Sequence, residues 1–204
     1  MKVLHLIGGG DIGGAKTHVL YLVKALSQSI DVKIISFRPG IFADDAKEMG
    51  IDVEVVKTGN IFKDIKAVIN IVKQEGFEII HSHGAKANMI AIAVKYFTKL
   101  PSITTVHSDY RLDYMHSIIK TLTFGSINAI ALRFINYYIA ISNNFKKMLI
   151  KRRFNPINIF TVYNGVDFEN PTKIYSRRGF AEKYKISLLD TDIIVGIAAR
   201  LYPV

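Results

Sequence analysis

The sequence predicts an α/β protein with a doubly wound, mainly parallel sheet. Short apolar runs recur along the chain, and stretches with helically spaced apolar residues separate them. Strands that alternate with helices in this way form a parallel sheet with helices on both faces, joined by right-handed crossovers. The runs that we predict to be strands are Val3–Ile7, Val32–Phe37, Val53–Val56, Glu78–His81, Ile103–Val106, Tyr137–Ile141 and Ile159–Val162.

The stretches between these runs show one apolar face each. Apolar residues spaced three or four apart lie on the same side of a helix, so each stretch is expected to pack that side on the sheet. The two clearest sets are Val19, Leu22, Val23 and Leu26 after the first strand, and Ile61, Ile65, Val68, Ile69 and Val72 before the fourth.

The composition narrows the class of protein further. With 204 residues, half of them hydrophobic, the chain can fill a core and is not intrinsically disordered. The absence of cysteine excludes a disulfide scaffold and thiol chemistry, and it fits a reducing compartment. No apolar run is long enough to span a membrane, and the N-terminus lacks the features of an export signal, so a cytoplasmic location is expected. The net charge of +10 points to anionic partners.

The end of the sequence predicts a second domain. The turn signal Asn164–Asp167 is followed by a polar stretch, a short helical pattern and a new apolar run, Ile193–Ala199. We therefore expect one domain over residues 1–169, and over 170–204 a linker with the truncated start of another. An apolar strand without a neighbour exposes its edge, so self-association through Ile193–Ala199 is also expected.

A glycine-rich segment follows the first strand. Residues 8–14, GGGDIGG, contain the pattern G-x-G-x-x-G, in which glycines let the backbone approach a phosphate at a helix N-terminus. A dinucleotide site would also place a carboxylate at the end of the second strand, where this chain has Arg38. Since arginine suits a 2′-phosphate, a dinucleotide-dependent oxidoreductase or epimerase is one alternative. A non-catalytic basic module that binds nucleic acid is another, but most aromatics here lie in apolar runs and not among arginines.

Histidines follow two further strands. His81 and His83 end the fourth strand, and His107 and Asp109 follow the fifth. Because the carboxyl ends of parallel strands share one edge, these residues and the glycine loop are expected to line one cleft. The three histidines together could hold a metal ion, but no carboxylate at helical spacing accompanies them, so we predict no metal. We expect them either to hydrogen-bond a ligand or to fill a polar gap. His5 is predicted to be structural.

Six short segments are weakly specific singly but specific in their order and spacing. They are Gly13–Val19, Ile79–Gly84, Thr105–Ser108, Ile139–Ser142, Val162–Asp167 and Gly196–Leu201. Together they resemble the N-terminal half of the retaining GT-B glycosyltransferases called group 1, or family 4. The resemblance implies two Rossmann-like domains across a cleft. The N-terminal domain binds mainly the acceptor, and the other binds most of a nucleoside-diphosphate sugar. It also implies transfer with retention of configuration, without a metal and with no cofactor beyond the nucleotide sugar.

The resemblance also implies roles for particular residues. His107 matches the histidine near the transferred sugar and is the predicted catalytic residue. Gly13 and Gly14 match the loop beside the donor diphosphate and the acceptor. Arg200 matches an arginine that contacts the diphosphate. The lysine partner of that arginine and the acidic motif of the family would lie beyond these 204 residues, so the chain alone is expected to be inactive.

Four further residues are predicted to bind donor or acceptor: Lys16, His83, Asp109 and Asn164. Many relatives have glutamate at the position of Lys16. The expected partners are a nucleotide-sugar donor and a glycan or lipid-linked acceptor. The basic cluster Lys146–Arg153 beside an apolar stretch adds an anionic membrane surface at the inner face of the membrane. Nucleic acid is not among the expected partners.

Overall fold

The protein is seen here as a computed structural model that describes residues 1–9, 14–111, 125–165, 176–189 and 191–196. The chain divides into two compact units, Met1–Gly165 and Val166–Val204. The predicted domain boundary at residue 169 lies outside the described residues.

The first unit is built on one parallel sheet, and all seven predicted strands are confirmed with their ends shifted by no more than two residues. The strands lie in the order β3-β2-β1-β4-β5-β6-β7. They are β1 (Lys2–Ile7), β2 (Asp31–Ser36), β3 (Val53–Val55), β4 (Ile79–His83), β5 (Ser102–Val106), β6 (Tyr137–Ala140) and β7 (Ile159–Thr161). The doubly wound α/β fold is therefore as the alternation of apolar runs and helical stretches predicts.

Helices connect most of these strands in the described residues of the first unit. Two of them begin with side-chain caps: Asn60 accepts from the backbone at the start of α3, and Ser142 does so at the start of α6. The helices are α1 (Gly14–Leu26), α2 (Ile41–Glu48), α3 (Ile61–Glu75), α4 (Ala85–Thr98), α5 (Ser126–Arg133) and α6 (Asn143–Lys151), with a 3₁₀ turn at Pro156–Asn158.

The two faces of the sheet pack against different helices. On one face, Leu4 and Leu6 of β1 are fully buried in a cluster with α3 and α4. On the other, Ile7 packs in a cluster with Val19 of α1 and with α2. Successive side chains of a strand point to opposite faces, so this alternation fixes which residues of β1 lie beneath α1.

The order of the strands reverses between β1 and β4. The first three strands build outwards on one side of β1, and the chain then crosses to β4 on the other side. In open α/β sheets, ligands bind in the crevice outside the carboxyl ends of the strands at such a reversal. The fold therefore directs attention to the residues that end β1 and β4.

The second unit has one described helix, α7 (Arg177–Tyr184), in which no residue is buried. The prediction of a strand from Ile193 is wrong for the described part, because Ile193–Gly196 forms no strand. The side chains of Ile193 and Val195 are about nine-tenths exposed, at 90% and 88%. A strand exists only as part of a hydrogen-bonded ladder, and residues 191–196 have none. The rest of the predicted strand, residues 197–199, lies outside the described residues.

Across both units, no helix in the described ranges combines the length and the apolarity that crossing a membrane requires.

Candidate functional site

The glycine-rich segment begins as a tight turn at the end of β1. Gly9 has a φ of +75°, and a Cβ there would lie 2.3 Å from the hydroxyl oxygen of Ser36 and 2.9 Å from the carbonyl oxygen of Arg38. Only glycine fits this close approach to the end of β2. Gly13 lies outside the described residues, and Gly14 is the first residue of α1. The described part of the loop therefore lies against the end of β2.

Lys16, a predicted ligand-binding residue, is engaged within the protein. Its ammonium group lies 2.5 Å from a carboxylate oxygen of Asp45 in α2, and only 11% of its side chain is exposed. This ion pair ties the first turn of α1 to α2. The predicted role of Lys16 in binding a ligand stays a prediction.

Five of the six histidines of the chain gather on the face of the sheet that α1 covers; the sixth, His116, lies outside the described residues. His5 of β1 pairs directly with His81 of β4, so the two side chains share a face. His83 lies two residues further along β4 on that same face. His107 follows β5, and its ring meets the ring of His18 of α1 edge to face, with 5.1 Å between centroids.

Three of these rings form a chain of close nitrogen pairs. Nδ1 of His5 lies 3.1 Å from Nε2 of His83, and Nδ1 of His83 lies 3.3 Å from Nε2 of His107. His81 takes no part in this chain, because its Nε2 lies 2.8 Å from the hydroxyl oxygen of Thr105. His5 and His83 are buried, and the chain ends at His107, which is only partly buried at the carboxyl edge of the sheet.

Burial keeps these histidines neutral. It lowers the pKa of His5 to about 3 and the pKa of His107 to about 4, and the nearby His18 lowers both further. Burial, together with the other histidines, also holds the pKa of His81 and of His83 well below 6.5. Near neutral pH each ring therefore carries one proton and one lone pair, so each can donate one hydrogen bond and accept one.

His5, His81 and His83 are the described group whose nitrogens come closest to a metal-binding arrangement. One nitrogen from each lies within 4.8 Å of the others. Nitrogens on a tetrahedral zinc ion lie about 3.4 Å apart, since each Zn–N bond is about 2.0 Å. Two of these rings are paired with each other through their nitrogens, and the third bonds Thr105. The hydrogen bonds among the rings explain the cluster without an ion, and the absence of a metal stays a prediction.

Asp109, another predicted ligand-binding residue, forms a bidentate ion pair. Its two carboxylate oxygens each accept from the guanidinium of Arg152 at 2.7 Å. The guanidinium also lies over the ring of Tyr110, 4.7 Å from its centroid. These hydrogen bonds lower the pKa of Asp109 and keep it ionised. Asp109 thereby anchors the loop that carries His107 to the end of α6.

Of the remaining two candidates, the structure describes only Asn164. Asn164 is exposed near the end of the first unit, and Arg200 lies outside the described residues. A cavity of about 50 Å³ opens instead at the carboxyl end of β5, next to His107, where its walls include Gly84, Thr105, Ser108 and Asn128.

The sequence did not identify two members of the site. The sequence pattern predicts a structural role for His5, and it shows Arg152 only as a member of the basic cluster Lys146–Arg153. The signal for His5 is its position two residues before the end of an apolar run, where it would share a face with His81 and His83 if their strands are neighbours. That condition depends on the order of strands in the sheet, which local patterns do not give.

A doubly wound parallel sheet with a glycine turn after β1 and a reversal of strand order beside it defines the Rossmann-like class of α/β domain, in which ligands bind outside the carboxyl ends of the strands. The model of Glycosyltransferase Family 4 matches residues 12–170, more than half of the chain, and the chain belongs to this family.

Three named proteins are similar to this chain. A capsular polysaccharide biosynthesis glycosyltransferase, CapH of Staphylococcus aureus, is 23% identical over 93% of this chain and 57% of its own. The structure of Anabaena Alr3699/HepE in complex with UDP has a TM-score of 0.67 at 21% identity, over 82% of this chain and 45% of its own. A glycosyltransferase from Rickettsia africae has a TM-score of 0.69 at 19% identity, over 92% of this chain and 50% of its own.

The chain thus spans about half the length of the relatives it matches. The likeness to GT-B glycosyltransferase structures confirms the predicted N-terminal, Rossmann-like half of that fold.

Proposed function

We propose that this chain supplies the acceptor-side half of an enzyme that transfers a sugar, with retention of configuration, from a nucleoside-diphosphate sugar to a glycan or lipid-linked acceptor. The observation that carries the proposal is the family match over residues 12–170, which includes His83 at the end of β4, beside the end of β1 where the order of strands reverses. Arg38 at the end of β2 would suit the 2′-phosphate of the dinucleotide alternative, but the family model that matches residues 12–170 is that of a glycosyltransferase family.

The chemistry required of this half is binding and electrostatic. The leaving diphosphate gains negative charge in the transition state, and backbone N–H groups at the start of a helix stabilise such charge. The start of α1 after the glycine loop would supply them beside the crevice. His107 would hydrogen-bond the transferred sugar. Because its pKa is low, His107 is a weak base. We therefore propose that the leaving phosphate, and not a histidine, takes the proton of the acceptor. No metal ion is part of the proposed reaction.

The proposed donor is a uridine nucleotide sugar. The support comes from Anabaena HepE, whose structures are in complex with UDP and with UDP-glucose. The proposed acceptor class follows from the name of CapH, a capsular polysaccharide biosynthesis glycosyltransferase. Synthesis of such glycans uses cytoplasmic nucleotide sugars, so we also propose a cytoplasmic location.

We further propose that the first unit rests on an anionic membrane surface through α6. This helix carries Lys146, Lys147 and Lys151 with the exposed Ile150 among them, and exposed Ile130 and Phe134 lie on α5 and at its end. Basic side chains mixed with exposed apolar ones suit the interface of an anionic bilayer. Sedimentation with vesicles of phosphatidylglycerol, but not with vesicles of phosphatidylcholine, would support this contact.

Residues 1–204 alone are proposed to be inactive. In the second unit, no residue of α7 is buried, so this helix offers no packed wall for a nucleotide. Self-association stays part of the proposal, because Ile193 and Val195 present exposed apolar side chains. Light scattering that shows a strict monomer at high concentration would contradict it.

The test of the function is nucleotide release from a panel of nucleoside-diphosphate sugars, with the anomeric configuration of the product read by NMR. It compares residues 1–204 alone with the gene product that carries them and the second half of the fold. We expect turnover only from the latter. His107→Ala should lower kcat about 100-fold, the usual loss for one transition-state donor. Lys73→Ala, on the exposed face of α3, is the control. Turnover with NAD(P)H substrates, or none with any nucleotide sugar, would contradict the proposal.

A further inference from the structure

His5, His83 and His107 are joined by two hydrogen bonds between ring nitrogens. The structure allows us to assign which nitrogen of each pair donates the proton. His83 lies in the middle and, being neutral, carries a single proton. It therefore donates one hydrogen bond and accepts the other, so both bonds of the chain must run the same way. Only two arrangements remain.

In the first arrangement, protons point outwards. Nδ1 of His5 donates to Nε2 of His83, and Nδ1 of His83 donates to Nε2 of His107. His107 then holds its own proton on Nδ1. In the second arrangement every proton moves to the other nitrogen, and His107 donates inwards from Nε2 and keeps a bare lone pair on Nδ1.

The inner end of the chain decides between the two. Nε2 of His5 is buried and has no hydrogen-bond partner among the residues that the structure describes. The second arrangement would place an N–H there, and buried N–H groups without an acceptor are rarer in proteins than buried acceptors without a donor. The first arrangement leaves only a lone pair at this nitrogen. The orphan nitrogen of His5 therefore favours protons that point outwards.

We infer that His5, acting through His83, fixes His107 in the tautomer with its proton on Nδ1, so that His107 offers the site a hydrogen-bond donor and not a base. His5 and His83 are then positioning residues, since neither needs to touch the substrate. The role of this donor in sugar transfer rests on the proposed function, but the tautomer itself does not.

This assignment explains an arrangement that a packing role leaves unexplained. Three imidazoles in a row are a poor choice for filling a core, because each has two polar nitrogens that need partners. In the arrangement that we infer, which we call the tautomer relay, the tautomer of His5 in β1 fixes that of His83, and His83 fixes that of His107 at the edge of the sheet. His81, in the same cluster, bonds Thr105 and stands outside the relay, which makes it a matched control.

The test is long-range ¹H–¹⁵N NMR of residues 1–204 labelled at histidine, at pH 7.5 and without ligand. We expect Nδ1 of His107 to show the shift of a protonated, pyrrole-type nitrogen, and Nε2 that of an unprotonated one. Free histidine prefers the tautomer with its proton on Nε2. A protonated Nδ1 on His107 would therefore show that the protein sets the tautomer. A protonated Nε2 on His107 would overturn the inference whatever the enzymatic activity of the protein.

Variants locate the cause. His5→Phe removes the donor at the inner end, and the signal of Nδ1 of His107 should move towards the unprotonated shift. His5→Asn should restore the wild-type shift, because its amide places an N–H near the position of Nδ1. His81→Phe should leave His107 unchanged. If His5→Phe and His81→Phe move the signal equally, the relay is wrong and general packing sets the tautomer. If His5→Phe does not fold, wild type and His5→Asn still decide.

Loss of nucleotide-sugar turnover with an intact tautomer would reject the proposed function alone. Turnover with the opposite tautomer would reject the relay alone.

Discussion

Strand β4 presents a different polar surface on each side of the sheet. Towards α1 it shows His81 and His83, whose neighbours include two buried nitrogens without partners, one on His5 and one on His18. Towards α4 it shows Ser82, whose hydroxyl donates to the amide oxygen of Asn88 at 2.7 Å. Both surfaces are buried and polar, but only the second is closed.

The network on the α4 side satisfies its own members. The hydroxyl of Thr104 also donates to the amide oxygen of Asn88 at 2.7 Å, and the amide nitrogen of Asn88 donates to Asn128 at 2.9 Å. A complete network of this kind fixes a core. Its members Asn88, Thr104 and Asn128 also line the cavity beside His107, so here it fixes one wall of that cavity. The histidine surface, in contrast, reaches the edge of the sheet through a single ring.

The largest expected difference between the two surfaces is in stability, and removing Asn88 at the centre of the closed network tests it. Asn88→Ala takes a partner from Ser82, Thr104 and Asn128 together, so we expect the free energy of unfolding to fall by about 3 kcal/mol. His5→Phe should cost less, about 1 kcal/mol, because Nε2 of His83 loses its partner but the unpartnered Nε2 of His5 disappears, so the number of unpaired buried nitrogens does not rise. Urea denaturation of both variants measures the difference. Equal losses of unfolding free energy would show that both surfaces contribute alike to stability.

Acid should affect the histidine surface alone. The folded state holds the pKa of His5 near 3, whereas the unfolded chain has about 6.5, so the unfolded state binds more protons between these values. Stability is therefore full above pH 6.5 and is lost as the pH falls. From pH 6.5 to pH 5 one such histidine costs about 2 kcal/mol. Urea midpoints across this range should show a smaller slope in His5→Phe, and an unchanged slope in Asn88→Ala would sharpen the contrast. A slope that His5→Phe does not reduce would contradict the assignment.

The loop after β5, where the two surfaces meet, offers a smaller effect. Arg152→Lys replaces the two-pronged bond to Asp109 by a single one, and we expect a loss of about 1 kcal/mol by thermal unfolding. Arg178→Lys is the control, because its ion pair with Glu182 joins two largely exposed side chains. It should change nothing measurable. A similar result for both would mean that Asp109 does not anchor the loop.

The smallest expected effect concerns metal ions. If hydrogen bonds account for the histidine surface, treatment with EDTA should shift the free energy of unfolding by less than about 0.5 kcal/mol, within the scatter of surface effects. Nucleotide release by the longer protein should also persist. A clear fall in Tm after chelation, reversed by zinc, would show that the histidines hold an ion.

The sequence predicts the strands well because each is a short apolar run with its own local signal. Val3–Ile7 and Ile103–Val106, for example, lie within a residue of the observed β1 and β5. Apolarity alone is a weaker guide. Ile193–Ala199 is just as apolar, but Ile193–Gly196 finds no ladder and forms no strand.

The site is less predictable, since it depends on which strands become neighbours. The sequence predicts His83 and His107 in one cleft because the carboxyl ends of parallel strands share one edge of the sheet. The partnership of His5 with His83 crosses 78 positions and arises only because β4 pairs with β1. The bond between Asp109 and Arg152 likewise joins a loop to a distant helix end. Pairings of this kind are set by topology and not by local periodicity.

The alternation along β1 also bears on how the chain finds its fold. Leu4 and Leu6 face the apolar cluster of α3 and α4, and His5 lies between them on the other side. A slip of one residue in strand pairing would turn every side chain over. It would force an imidazole among aliphatic residues and place two leucines beside polar rings. The histidine thus penalises the wrong register during folding, which is a second use for a residue whose first is at the site.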